Sequence, residues 1–148
     1  MDKVYVEATY KSLNKLNEEL CGDRVEIVKN DDSYFVVLSD GLGSGVKANI
    51  LSTLTSKIIS TMMFQGASIE DTVETIVHTL PVCSVRKVAY STFMILQIDY
   101  DGNAYLVEFD SPGCIFVRDG RLMNIEYNYR SIAGKEIKEA HFKVKPND

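Results

Sequence analysis

The feature that most restricts the fold is a change in hydrophobic period partway along the chain. From Gly45 to Gln65, Leu51, Leu54, Ile58 and Met62 recur every three or four positions, joined by Ile50, Ile59 and Met63. That spacing predicts a long helix with a wide buried stripe, ended by Gly66. Ser68 followed by Ile69-Glu70-Asp71 is an N-cap with acids in the first turn, and Ile69, Val73, Ile76, Val77 and Leu80 carry a second helix to Pro81. Beyond it the period is two. Ser91 to Asp99, Ala104 to Asp110, Cys114 to Arg118 and Arg121 to Glu126 read as strands of an antiparallel meander, with Asp101-Gly102 and Asp119-Gly120 as hairpin turns. His141 to Lys145 alternates as well. Ahead of the helices, Arg24 to Lys29 and Tyr34 to Ser39 flank the turn cluster Asn30-Asp31-Asp32-Ser33. Strands, two consecutive helices, then more antiparallel strands define an α+β fold and disfavour a nucleotide-binding βαβ unit.

A length of 148 residues, 45% hydrophobic, fits one domain. We divide it into a lead-in, 1–20, and a folded unit, 21–148. Within the lead-in, Leu13, Leu16 and Leu20 at helical spacing predict a short amphipathic helix from Lys11 to Leu20, although Asn14 and Asn17 oppose it. A net charge of -5 leaves no basic field for nucleic acid or an anionic membrane surface. Apolar runs such as Phe35-Val36-Val37-Leu38 fall far short of the ~20 residues of a membrane span, and the chain opens with Asp2 and Lys3, so a soluble, cytoplasmic protein is expected. Cys21, Cys83 and Cys114 make neither a disulfide framework nor a Cys-x-x-Cys site and read as reduced thiols. With only His78 and His141, a zinc hydrolase lacks ligands.

The chemistry-bearing stretch is Val36-Val37-Leu38-Ser39-Asp40-Gly41-Leu42-Gly43-Ser44-Gly45, an apolar strand running into an acid, three glycines and the long helix. Glycines let an ion approach the backbone, and the following helix start presents free N–H groups. An acid there repels phosphate but offers hard oxygen to Mg²⁺ or Mn²⁺. From spacing alone, an Asp40 that merely caps the helix is an equal alternative. The spacing does not match G-x-x-x-x-G-K-[ST], and no ribose-binding acid follows the loose G-x-G-x-x-A at Gly43. Asp31-Asp32 and Glu70-Asp71 are explained as turn and helix-start residues, His78 as a partly buried polar group, and Arg86-Lys87 as a solvated pair.

The run from Ser39 to Asn49, preceded by Cys21-Gly22-Asp23, resembles the metal-dependent serine/threonine phosphatases of the protein phosphatase 2C superfamily, in the bacterial branch typified by stage II sporulation protein E. The resemblance continues through Tyr90-Ser91-Thr92, Ser111-Pro112-Gly113, Arg118-Asp119-Gly120 and Ser131-Ile132-Ala133-Gly134. It implies a sandwich of two antiparallel sheets flanked by helices, here a partial α-β-β-α sandwich, with two Mn²⁺ or Mg²⁺ ions at one end. It also implies that Asp40 bridges both ions, that the Gly41 carbonyl ligates one, and that Asp23 lies near the second. The implied substrate is a phosphoserine or phosphothreonine protein, with Cys21 packing beside the site. Relatives carry a second Ser-Asp-Gly just after the segment resembled by Lys143 to Asp148, and a later metal-binding Asp, neither found here. We therefore expect an N-terminal portion of a phosphatase domain with little activity alone, exposing strand edges that invite a homodimer. The alternative is a catalytically silent relative that binds a regulatory protein.

Overall fold

The computed structural model describes residues 3–43, 45–79, 91–132 and 134–148. In chain order the elements are β1 (Asp23–Lys29), β2 (Ser33–Gly41), α1 (Gly45–Phe64), α2 (Ile69–Thr79), β3 (Ser91–Asp99), β4 (Asn103–Phe109), β5 (Phe116–Arg118), β6 (Arg121–Met123), β7 (Asn128–Ile132) and β8 (Lys135–Lys143). Six strands form one antiparallel sheet in the order β1-β2-β3-β4-β8-β7, and β5 pairs with β6 apart from it. The chain is thus α+β, with antiparallel sheets and two consecutive helices. None of the described helices is long and apolar enough to cross a membrane.

The turn residues act as their chemistry dictates. Asn30 Oδ1 accepts the N–H groups of Asp32 and Ser33, closing the β1–β2 hairpin. Asp119 and Gly120 both take positive φ, the requirement of the tight turn between β5 and β6. The predicted meander needs correction. After β4 the β5–β6 hairpin leaves the main sheet, and β8 returns to lie beside β4. Alternation reveals a strand but not its neighbour. β7, Asn-Tyr-Arg-Ser-Ile, is too polar to announce itself; Arg130 secures it to Glu70 on α2 and to Glu139 on β8.

Both helices cover one sheet face. Phe35, Val37, Phe93, Ile95, Val107, Phe109 and Ile137 from the strands meet Ile59, Met63, Ile69, Val73 and Ile76 from the helices in a buried core. Burial of each such side chain contributes about 1.5–3 kcal/mol. The Ser68 hydroxyl accepts the Asp71 N–H at 3.0 Å, the predicted N-cap of α2. At the end of α1, Gly66 takes φ 88° and the N–H of Ala67 reaches back to the Met62 carbonyl.

The buried stripe of α1 is only partly the predicted one, keeping Ile59 and Met63. Ala48, Ser52, Thr55, Ser56, Ile59, Ser60 and Met63 face the sheet, whereas Ile50 and Leu54 are exposed. Small residues let the helix lie close to β1 and β2, and the hydroxyls of Ser52, Thr55, Ser56 and Ser60 donate to carbonyls three or four residues back, so their burial leaves none unpaired. The Lys11–Leu20 helix does not form. Leu13 and Leu16 are exposed, Asn17 takes φ 65°, and the segment runs as turns over the sheet end. Three leucines with no surface to pack on do not offset the weak helix propensity of two asparagines.

His78 is exposed, 3.9 Å from Glu74, rather than partly buried. Cys21 and Cys114 are free, half-buried thiols. The end of the second predicted helix at Leu80-Pro81, Cys83, Arg86-Lys87 and Tyr90 lie outside the described residues, as do Ser44 and Ala133.

Candidate metal-binding site

β1 and β2 pair so that Asp23 stands directly opposite Asp40, with Val25 opposite Leu38 and Ile27 opposite Val36 behind them. Strand alternation puts these side chains on the sheet face away from the helices. Gly41, one residue on, is buried on the helix side, where an added Cβ would lie 2.0 Å from the Ala48 carbonyl oxygen. Only glycine lets the strand end and the helix start meet that closely. The Gly41 N–H donates to the Gly22 carbonyl at 2.9 Å, binding the Cys21-Gly22-Asp23 corner to the Asp40-Gly41 corner. Behind Asp40, the buried hydroxyls of Ser39 and Ser91 share a 2.8 Å hydrogen bond, and Ser91 also donates to the Asp40 carbonyl at 3.2 Å. The backbone carrying the acid is therefore fixed on three sides.

Partial burial raises the Asp40 pKa to about 6, reinforced by hydrogen bonding to Asp23 and by its charge, and opposed by the charge of Lys15. Two carboxylates at one strand mouth repel each other until a proton or a cation intervenes. The donors are hard oxygens, which suit Mg²⁺ or Mn²⁺ over a soft metal. They supply two negative charges, enough to fit one divalent ion and too few to balance two. Among the described residues, no group of three or more His, Cys, Asp or Glu is placed to share an ion.

The N-terminal segment, whose role the sequence did not announce, completes the corner. Glu18 Oε2 accepts the N–H of Gly45, the first residue of α1, at 2.6 Å. The cap that could have been Asp40's task thus belongs to Glu18. Lys15 Nζ donates to the Gly43 carbonyl at 3.3 Å, and Asn49 Nδ2 donates to the Cys21 carbonyl at 2.8 Å. The Cys21 thiol lies 4.0 Å from Asp23 Oδ2 and 3.6 Å from the Leu13 carbonyl, bordering the corner.

Two other features lie apart. A cavity of about 880 Å³, lined by residues including Val4, Val6, Ile98, Phe116 and Phe142, opens at the opposite end of the strands, and its mostly apolar wall offers no comparable chemistry. Glu108 on β4 is buried with neither carboxylate oxygen hydrogen-bonded, beside the equally buried Tyr127 hydroxyl. The register places Lys138 opposite Glu108, with its ammonium over the Tyr127 ring.

One antiparallel sheet with two helices across one face, its glycine corner carrying paired acids, makes up one sheet layer and one helix layer of the sandwich that the resemblance implies. The stage II sporulation protein E (SpoIIE) family profile matches residues 30–148, and the chain belongs to that family. Its backbone is similar to the PP2C phosphatase domain, with a fragment of the regulatory domain, of the cell fate determinant SpoIIE from Bacillus subtilis (TM-score 0.77, 20% identity, 91% of this chain and 40% of that one). It is also similar to RsbX in complex with magnesium (TM-score 0.61, 19% identity, 91% and 66%). A third likeness is to the RsbU and RsbW domains of Rv1364c from Mycobacterium tuberculosis (TM-score 0.72, 14% identity, 90% and 39%). This chain therefore spans less than two thirds of each of these structures. No curated protein matches it.

Proposed function

We propose that this chain carries the core of a metal-dependent protein serine/threonine phosphatase that hydrolyses phosphoserine or phosphothreonine. The observation that carries the reading is the register pair Asp23 and Asp40 beside a glycine corner that excludes any larger residue at position 41. Asp40 and Asp23 would hold Mn²⁺ or Mg²⁺ with the Gly41 carbonyl, and the bound metal would supply an activated water and charge neutralisation for the phosphoryl oxygens. Magnesium in the RsbX structure supports this metal class. Asp40 stands at the strand mouth, and the Ser91 hydroxyl, paired with Ser39, donates to its backbone carbonyl and so steadies the main chain that carries the carboxylate.

Two carboxylates do not balance a pair of divalent ions, so the 148-residue chain alone turns over slowly. The test is phosphate release from a phosphoserine peptide with Mn²⁺. We expect slow, chelator-sensitive turnover that Asp40→Asn abolishes. Measurable turnover that is equal in wild type and Asp40→Asn would overturn the assignment. The same charge count favours a second reading, a catalytically silent module that binds a regulatory protein; it predicts no turnover by either form, together with partner binding that survives Asp40→Asn.

A further inference from the structure

We infer that Asn49, on the second turn of α1, is a positioning residue for the Asp23–Asp40 pair, its amide clasping the chain just ahead of Asp23 to the helix. The inference rests on the metal-binding reading above and adds to it the group that fixes the spacing of the two acids. Those acids are not held alike. Asp40 lies on β2, paired with β1 on one side and β3 on the other, and the Ser91 hydroxyl donates to its carbonyl. Asp23 is exposed and is the first residue of β1, an edge strand with β2 as its one neighbour in the sheet. The end of an edge strand frays unless something outside the ladder holds it.

Two hydrogen bonds hold the chain entering β1. The Gly41 N–H donates to the Gly22 carbonyl at 2.9 Å, which joins one corner to the other. Asn49 Nδ2 donates to the Cys21 carbonyl at 2.8 Å, which joins the corner to α1. The Asp23 N–H is turned back onto Cys21 Sγ at 3.4 Å, so the groups flanking the acid are engaged as well. Ala48, the preceding helix residue, sets the distance of approach, since a Cβ added at Gly22 would meet its methyl at 3.1 Å. Asn49 then supplies the bond that keeps the corner at that distance. Asparagine is a weak helix former because its amide competes for nearby backbone groups. Here the amide reaches a carbonyl 28 positions back in the chain, so its task is tertiary. A divalent ion needs both carboxylates within about 2.0–2.6 Å at once. An Asp23 free to drift must be ordered when the ion binds, which lowers affinity. Hydrogen bonds behind a ligand typically set metal affinity by about 10–100-fold. Asn49 acts through the backbone, so the lower end of that range applies.

The test is Mn²⁺ affinity by calorimetry, compared among wild type, Asn49→Ala, Asp40→Asn and Ile76→Val, a core change on α2 away from the site whose stability loss is matched to that of Asn49→Ala by urea denaturation. Asn49→Ala should bind Mn²⁺ about tenfold more weakly than wild type, Ile76→Val should bind as wild type does, and Asp40→Asn should not bind. In metal-free NMR spectra of Asn49→Ala, amide exchange should quicken at 21–23 and stay unchanged at Asp40. Equal affinity of wild type and Asn49→Ala, with binding lost in Asp40→Asn, would remove the positioning role and leave the metal site standing. Equal weakening in Asn49→Ala and Ile76→Val would reduce the effect to general destabilisation and also overturn the inference. Absence of Mn²⁺ binding in wild type would overturn the metal reading and this inference with it.

Discussion

Asp23 and Asp40 occupy facing positions on two hydrogen-bonded strands, and the fold holds them together without a described third acid. Partial burial, and after it the neighbouring Asp23, push the Asp40 pKa up to about 6 from an ordinary value of 3.8. A carboxyl whose pKa is raised on folding binds its proton more tightly in the folded state. Stability therefore falls as pH rises from about 4 to about 6, and the penalty is complete above that window. In metal-free buffer, Asp40→Asn should melt at a higher temperature than wild type near pH 7, and at the same temperature at about pH 3.5. A lower melting temperature for the variant near pH 7 would mean that the pair is not in conflict.

Gly41 and Gly22 both approach Ala48, to different degrees. A Cβ at position 41 would lie 2.0 Å from backbone oxygen, whereas one at position 22 would meet the Ala48 methyl at 3.1 Å. Gly41→Ala should cost about 3 kcal/mol or more and Gly22→Ala about 1 kcal/mol, measured by urea denaturation. Comparable losses would show that α1 can move away from the sheet.

Ser39 and Ser91 form a buried hydroxyl pair, each with a further carbonyl acceptor. Ser91→Ala should cost about 1–2 kcal/mol, because the Ser39 hydroxyl loses one partner in a dry setting. The double variant Ser39→Ala, Ser91→Ala should cost less than the sum of the two single changes, as expected for a coupled pair.

Glu108 is buried with no hydrogen bond to its carboxylate. A polar group in that position opposes folding, so Glu108→Met should be as stable as wild type or more stable. Tyr127 provides a second readout. Burial, and then the Glu108 charge, push its pKa up to about 12. In Glu108→Met the Tyr127 phenol should ionise at a lower pH, followed by NMR. A destabilised variant with unchanged Tyr127 titration would show that Glu108 has a structural partner.

Much of this fold was legible because periodicity is local. Ser91–Asp99 alternates and α1 repeats every three to four residues, so both emerge with bounds close to those observed. What was not legible depends on contacts far apart in the chain. The face that α1 buries is decided by how closely Ala48 must approach Gly41 and Gly22, and hydrophobicity favours Leu54 over Ser52 although the sheet takes Ser52. At the site, the glycine corner marked Asp40 and Gly41, and resemblance supplied Asp23. Lys15 and Glu18 carried no signal. They act across 28 and 27 positions, from a segment whose leucine spacing suggested a helix that does not form.

The account depends most on where a divalent ion binds, and paramagnetic broadening by Mn²⁺ in a two-dimensional NMR spectrum locates it directly. At substoichiometric Mn²⁺, signals from 21–23 and 40–43 should vanish first, and Asp40→Asn should restore them. Broadening confined to other acids, such as Asp31-Asp32 or Glu70-Asp71, with residues 21–23 and 40–43 unaffected, would contradict it.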